Sequence, residues 1–192
     1  MHNTIESAGL HLIALGANLP TESGAPRETL EAAVAALGAA GLALAARSPW
    51  YATPADPAGS GPDFVNGAIA VRAALAPERV LGILHDVEAR LGRERPHRWA
   101  PRVCDLDLIA SEGTVLPDAE TWRHWAGLPA ERQQTEAPGM LVLPHPRLQE
   151  RGFVLRPLAD IAPGWRHPVL GRTVREMLEA LPADEIVTIR QI

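Results

Sequence analysis

Apolar positions follow two rhythms along the chain, and the rhythms alternate. "LHLIALG" (10–16) is a short apolar run ending in the turn "GANLP", which predicts a strand. "PRETLEAAVAALGAAG" follows, with Pro26 at its start, Gly38 and Gly41 at its end, and Leu30, Val34 and Leu37 on one side, as in an amphipathic helix. "LALAARSPWYAT" predicts a second strand, "PADPAGSGP" a Pro- and Gly-dense loop, and "DFVNGAIAVRA" a third strand. Pro77 opens a second helix, whose core stripe is Val80, Leu84, Val87 and Leu91. The loop "GRERPHRWAPR" then leads into a fourth strand, "VCDLDLIA". The order β-α-β-β-α-β is that of a ferredoxin-like α+β core with an antiparallel sheet.

The rhythm weakens from Glu112 to Gly139. Asp118 suits the N-cap of a short helix "AETWRHWA" that Gly127 stops, and "PAERQQTEAPG" reads as exposed. A helix "TVREMLEAL" and a last strand "EIVTIRQI" extend the core at the C-terminal end. With no internal repeat and no low-complexity linker, residues 1–192 are expected to form one domain, with an insert at about 112–139.

Charge narrows the function. The net charge of -5 argues against a nucleic-acid partner, whose affinity would come from excess basic residues. No apolar run is long enough to cross a bilayer, and the N-terminus lacks a basic leader, so a cytoplasmic location is expected. The single cysteine, Cys104, excludes an internal disulfide and fits a reducing compartment. All 18 basic residues are arginine, which excludes a phosphate-loop lysine or a Schiff base. Phosphate chemistry here rests on arginine, backbone N–H groups, a metal or histidine.

The fourth strand carries the sharpest chemical signal. Residues i and i+2 of a strand share a face, so Asp105 and Asp107 stand together while Cys104, Leu106 and Leu108 face the core. Paired carboxylates repel unless a cation lies between them, and Mg²⁺ uses one or two carboxylates plus substrate phosphates. A bare D-x-D is also common on solvated edge strands. Arg93, Arg95, Arg98 and Arg102 in the preceding loop tip the balance, because a guanidinium fork matches phosphate oxygens. The combination describes a site for a polyphosphate carried with its metal. Trp99 either packs that loop or stacks on a flat ring, His145 lies between two prolines, and Glu88 sits at the edge of the helix stripe, where a surface salt bridge is its plain role. Thr53, Phe64 and Asn66 flank the first loop; an Asn amide can pair with a heterocycle's edge and a Phe ring can stack on it.

Taken together, "ALGANL", "YATP", "PDFVNGAIAV", "GRERPHRWAPRVCDLDLI" and "LPHPRLQERGFVLRPLADIAP" resemble the 6-hydroxymethyl-7,8-dihydropterin pyrophosphokinase family of folate biosynthesis. The resemblance implies the ferredoxin-like fold and transfer of the terminal diphosphate of ATP to the pterin hydroxymethyl group, with AMP released. It implies that Asp105 and Asp107 hold two Mg²⁺ ions, and that Arg93, Arg102 and Arg151, helped by Arg95, contact phosphate. His145 resembles a nucleotide contact and Trp99 a residue covering the ATP site. Phe64 and Phe153 resemble a pair of rings around the pterin, Asn66 and Thr53 the groups reading its edge, and Glu88 an acid near metals and pterin. The partners implied are small-molecule substrates, and docking onto a neighbouring folate-pathway enzyme stays open.

Three positions depart from the family pattern. Ala17 replaces a serine, Pro96 stands where a lysine occurs, and Ala100 replaces a glycine. The stretch Glu112–Gly139 is longer than the family usually carries; its Trp122 and Trp125 either cover a core edge, cap the nucleotide side or bind a partner. Two rival readings follow from the residues. A nucleotidyltransferase would use the same D-x-D and release pyrophosphate, and a non-catalytic ferredoxin-like module would bind ligand without turnover.

Overall fold

The computed structural model describes residues 8–21, 24–55, 61–92 and 103–192. Strand β1 (Gly9–Ala17) leads to helix α1 (Pro26–Ala39), then to β2 (Ala43–Arg47), β3 (Tyr51–Thr53) and β4 (Phe64–Ala73). Helix α2 (Pro77–Arg90) returns the chain to β5 (Asp105–Ser111). The sheet runs β5-β1-β4-β3, with β2 also on β4, and every pairing is antiparallel. This is the ferredoxin-like order expected from the sequence.

The predicted second strand is two strands. Pro49 has no N–H for the ladder, and Trp50 turns inward over Gly67, where a Cβ would meet its ring at 2.5 Å. Ser48 bridges the break, its Oγ accepting from the Ala68 N–H at 3.0 Å.

Both faces of the sheet are covered. On one, Ile13, Leu15, Leu106 and Leu108 pack against Leu30 and Leu37 of α1 and Val80, Leu84 and Val87 of α2. Cys104, Leu106 and Leu108 are buried there, as the alternation requires. On the other face, Leu12, Ala14, Ala68 and Ala70 lie under Val154, Leu155 and Leu158 of α5 (Gly152–Ile161) and Val174 and Met177 of α6 (Val174–Glu179). The small alanines bring α5 close to the central strands.

The segment expected to be an insert, residues 112–139, carries α3 (Ala119–Ala126) and α4 (Ala130–Thr135). Asp118 caps α3 as expected, accepting from the Glu120 and Thr121 N–H groups, and Gly127 ends it. Trp122 anchors the insert: it is 2% exposed, its Nε1 donates to the Pro144 carbonyl at 2.8 Å, and its ring meets His167 edge-on at 4.7 Å. The predicted last strand is extended only near its end, and Glu185, Ile186 and Val187 are helical. Asp184 and Glu185 fall in the first turn of α7 (Ala183–Val187), where acids suit the helix dipole. Only β6 (Arg190–Gln191) is extended, because the short β3 offers it two pairs, Tyr51↔Gln191 and Ala52↔Arg190. Among the described residues, no helix is long and apolar enough to cross a membrane.

Candidate active site

Asp105 and Asp107 project from β5 on the α5 side, half-exposed, at the edge of the sheet. Register fixes their neighbours. Gly16 of β1 lies between Asp105 on β5 and Asn66 on β4, and Asn66 pairs in turn with Tyr51 on β3. Directly paired residues share a face, so Asp105, Gly16, Asn66 and Tyr51 form one row across four strands. Ala14 sits beside Asp107 in the next row. Gly16 matters here because a Cβ would come within 3.1 Å of the Asn66 Oδ1.

The Asn66 amide is fixed. Its Nδ2 donates to the Thr53 Oγ1 at 2.7 Å, and both residues are buried. That bond leaves Oδ1 as an acceptor over Gly16. Thr53 pairs with Phe64, so Phe64 shares the face with Asn66. Tyr51 was not singled out in the sequence; its hydroxyl donates to Asp160 Oδ2 at 2.6 Å, which ties α5 to this row.

Glu88 corrects an expectation. It is 1% exposed, which rules out a surface salt bridge, and its Oε1 accepts from the Leu106 N–H at 2.7 Å. Leu106 lies between the two aspartates, so Glu88 fixes the backbone from which both project.

Two segments close on the free edge of β5. A register shift leaves Ile109 as an extra residue in the strand, and its carbonyl accepts from the His145 N–H at 2.8 Å. The His145 Nδ1 accepts from the Arg147 N–H at 3.1 Å. Burial, with the charges of Arg151 and Arg147, pushes His145 down to about 3, so the ring is neutral. Arg151 precedes α5, where burial lowers its guanidinium from its ordinary value and the charge of Asp107 opposes that shift. Its guanidinium lies 5.7 Å from the centre of the Phe153 ring, which is 41% exposed. Glu185 holds this corner, accepting from the Gly152 N–H at 2.8 Å.

The structure therefore gathers Asp107, His145 and Arg151 around one cavity of about 550 Å³. Arg147 lines it too and was missed in the sequence; its position four residues before Arg151 is the signal that would have found it. Arg93, Arg95, Arg98, Trp99 and Arg102, with Pro96 and Ala100, lie outside the described residues.

The donor set suits a hard divalent cation. Two carboxylates on one face supply oxygen ligands and leave positions for phosphate oxygens and water. Among the described residues no group of three or more His, Cys, Asp or Glu side chains could hold a metal.

A family model described as 7,8-dihydro-6-hydroxymethylpterin-pyrophosphokinase (HPPK) matches residues 12–163. The chain belongs to the HPPK family. It is 39% identical to the 2-amino-4-hydroxy-6-hydroxymethyldihydropteridine pyrophosphokinase of Pseudomonas aeruginosa, over 91% of this chain and 93% of that protein. It is 38% identical to the enzyme of the same name from Methylorubrum extorquens, over 91% and 94%. Among solved structures it resembles the HPPK-DHPS of Plasmodium falciparum, with a TM-score of 0.61 at 13% identity over 90% of this chain. This chain spans 44% of that protein, and the likeness bears on the fold. The names of the family and its relatives give the reaction class: pyrophosphoryl transfer onto a hydroxymethyldihydropterin, in folate biosynthesis.

Proposed function

We propose that this chain, acting as one pyrophosphokinase domain over residues 1–192, transfers the terminal diphosphate of ATP to 6-hydroxymethyl-7,8-dihydropterin, with Asp105 and Asp107 as the metal-holding pair. The observation that carries this reading is the row Asn66–Gly16–Asp105. Two strand spacings separate an amide suited to a heterocycle's edge from a metal-suited carboxylate by about 10 Å. A bicyclic pterin reaching with its hydroxymethyl arm spans that gap.

The pterin hydroxyl attacks the β-phosphorus of ATP and AMP leaves. Asp105 and Asp107 would hold Mg²⁺ at the sheet edge, two ions fitting the family pattern, and the metal would supply charge neutralisation for the transfer. Glu88 fixes the strand between the two aspartates. Asn66, oriented by Thr53, accepts from the pterin's N–H groups, and Phe64 and Phe153 supply flat apolar surface to its ring. Arg151 faces the phosphates, with Arg93, Arg95 and Arg102 of the preceding loop joining it and Trp99 covering the site. His145, neutral, contacts the nucleotide as a hydrogen-bonding group and adds no charge. A location in the cytoplasm and contact with a neighbouring folate enzyme fit this reading; HPPK joined to DHPS in a relative supports the latter.

Product analysis tests the reaction. With ATP, Mg²⁺ and the hydroxymethyl pterin, AMP and the pterin diphosphate are expected in equal amounts. Release of pyrophosphate would instead support a nucleotidyltransferase, and absence of turnover a binding module.

A further inference from the structure

The cavity beside Asp107 has a lining of two unlike kinds. Its lining joins charged side chains, Asp107, Arg147 and Arg151, with side chains of the segment that carries α3 and α4, among them Trp125 and Leu128. A ligand with an anionic end and a flat, weakly polar end suits that division. At about 550 Å³ the space lies within the range of small-molecule sites.

The two tryptophans of the insert divide the work. Trp122 is the buried anchor, tied to Pro144 immediately before His145. Trp125, three residues on, lies next to it on the same side of α3, half-buried on the cavity wall. His124 braces its indole edge-on at 5.4 Å. The same segment also brings acceptors to the lining. Gln133 spends its Nε2 on the Leu128 carbonyl at 2.7 Å, which leaves its Oε1, and Glu136 contributes a carboxylate held by Arg132. Both line the cavity.

We propose that the insert is the base-recognition wall of the nucleotide site: Trp125 packs on the purine ring, and the acceptors of Gln133 and Glu136 favour a 6-amino over a 6-oxo group on that ring. This rests on the reading of the site as an ATP-dependent one, with the phosphates at Arg151 and the base toward α3 and α4. It gives the extra length between β5 and "LPHP" a role in substrate selection. A 6-oxopurine would set its carbonyl against the acceptors, so discrimination between adenine and guanine nucleotides follows from the same wall.

The test is equilibrium binding of a non-hydrolysable α,β-methylene analogue of ATP, with Mg²⁺, to the full chain. Trp125→Ala is expected to weaken binding at least tenfold, and Trp125→Phe to restore most of it. Gln133→Lys, which replaces an acceptor by a donor, is expected to narrow the preference for the adenine over the guanine analogue. KM for the pterin stays within about threefold in Trp125→Ala, so that the loss falls on the nucleotide. An unchanged analogue affinity in Trp125→Ala overturns the proposal while leaving the reaction intact. Equal weakening of pterin and nucleotide binding, unrescued by Phe, also overturns it, because that is the mark of a merely structural side chain. Failure of the wild-type chain to form AMP would count against the reaction, whereas the binding result bears on the wall alone.

Discussion

The Glu88 Oε1 lies 2.7 Å from the Leu106 nitrogen and accepts its hydrogen bond from inside the protein. This contact adds a hydrogen bond to the apolar packing of α2 on the edge strand that carries both aspartates. An edge strand otherwise leaves alternate N–H groups unpaired.

Glu88→Ala leaves the Leu106 N–H buried without this acceptor, at a cost of about 1–3 kcal/mol. Thermal denaturation is expected to show a fall of several degrees, with turnover reduced further than the stability loss explains. Glu88→Gln keeps a carbonyl acceptor and is expected to hold most of the Tm. Equal stability of Glu88→Ala and the wild type would show that the bond does not hold β5.

Asn66→Ala removes the acceptor over Gly16. KM for the pterin is expected to rise about tenfold, equivalent to about 1.4 kcal/mol, with KM for ATP nearly unchanged. Steady-state kinetics with each substrate varied in turn checks the split. A larger effect on ATP would place the pterin elsewhere.

Trp122→Ala removes a buried indole and its bond to Pro144. Replacing a buried tryptophan by alanine costs about 3–5 kcal/mol. The Tm is expected to drop by about 10 °C, and ATP binding to weaken because His145 follows Pro144. A Tm within a degree of the wild type would mean that the insert is not anchored there.

Acid is expected to destabilise the fold before the carboxylates titrate. Burial lowers His11, pushes His145 down to about 3 and pushes His167 down to about 4. In the unfolded chain each regains its usual value of about 6.5. Between those values the unfolded state binds protons that the native state does not, so stability falls as pH drops below about 6.5, and above that pH these groups contribute no slope. Denaturation midpoints measured from pH 8 down to pH 4.5 check the sign. A midpoint that rises on acidification would contradict it.

Much of this was legible in the sequence because it followed from period. Leu30, Leu37, Val80, Leu84 and Val87 were placed by helical spacing, and the shared face of Asp105 and Asp107 by strand alternation. The cap at Asp118 was readable because its mechanism is local. Contacts between distant segments were not readable. Nothing in the order of residues shows that Glu88 turns inward to Leu106, that Ile109 is an extra residue whose carbonyl meets His145, or that Gly16 aligns Asn66 with Asp105. The second strand is split because Pro49 leaves a gap in the ladder, which the apolar pattern of "LALAARSPWYAT" does not mark. The C-terminal end was misread because apolar "EIVTI" suits a strand, whereas the capping of Gly152 by Glu185 selects a helix.

The most direct test of the metal-holding pair is AMP formation by Asp107→Ala against the wild type, at saturating Mg²⁺, ATP and hydroxymethyl pterin. Loss of a metal-holding carboxylate is expected to lower turnover about a thousandfold, equivalent to about 4 kcal/mol, with the Tm unchanged or raised as one of two repelling carboxylates is removed. Wild-type rates of AMP formation in that variant would contradict the assignment of Asp105 and Asp107.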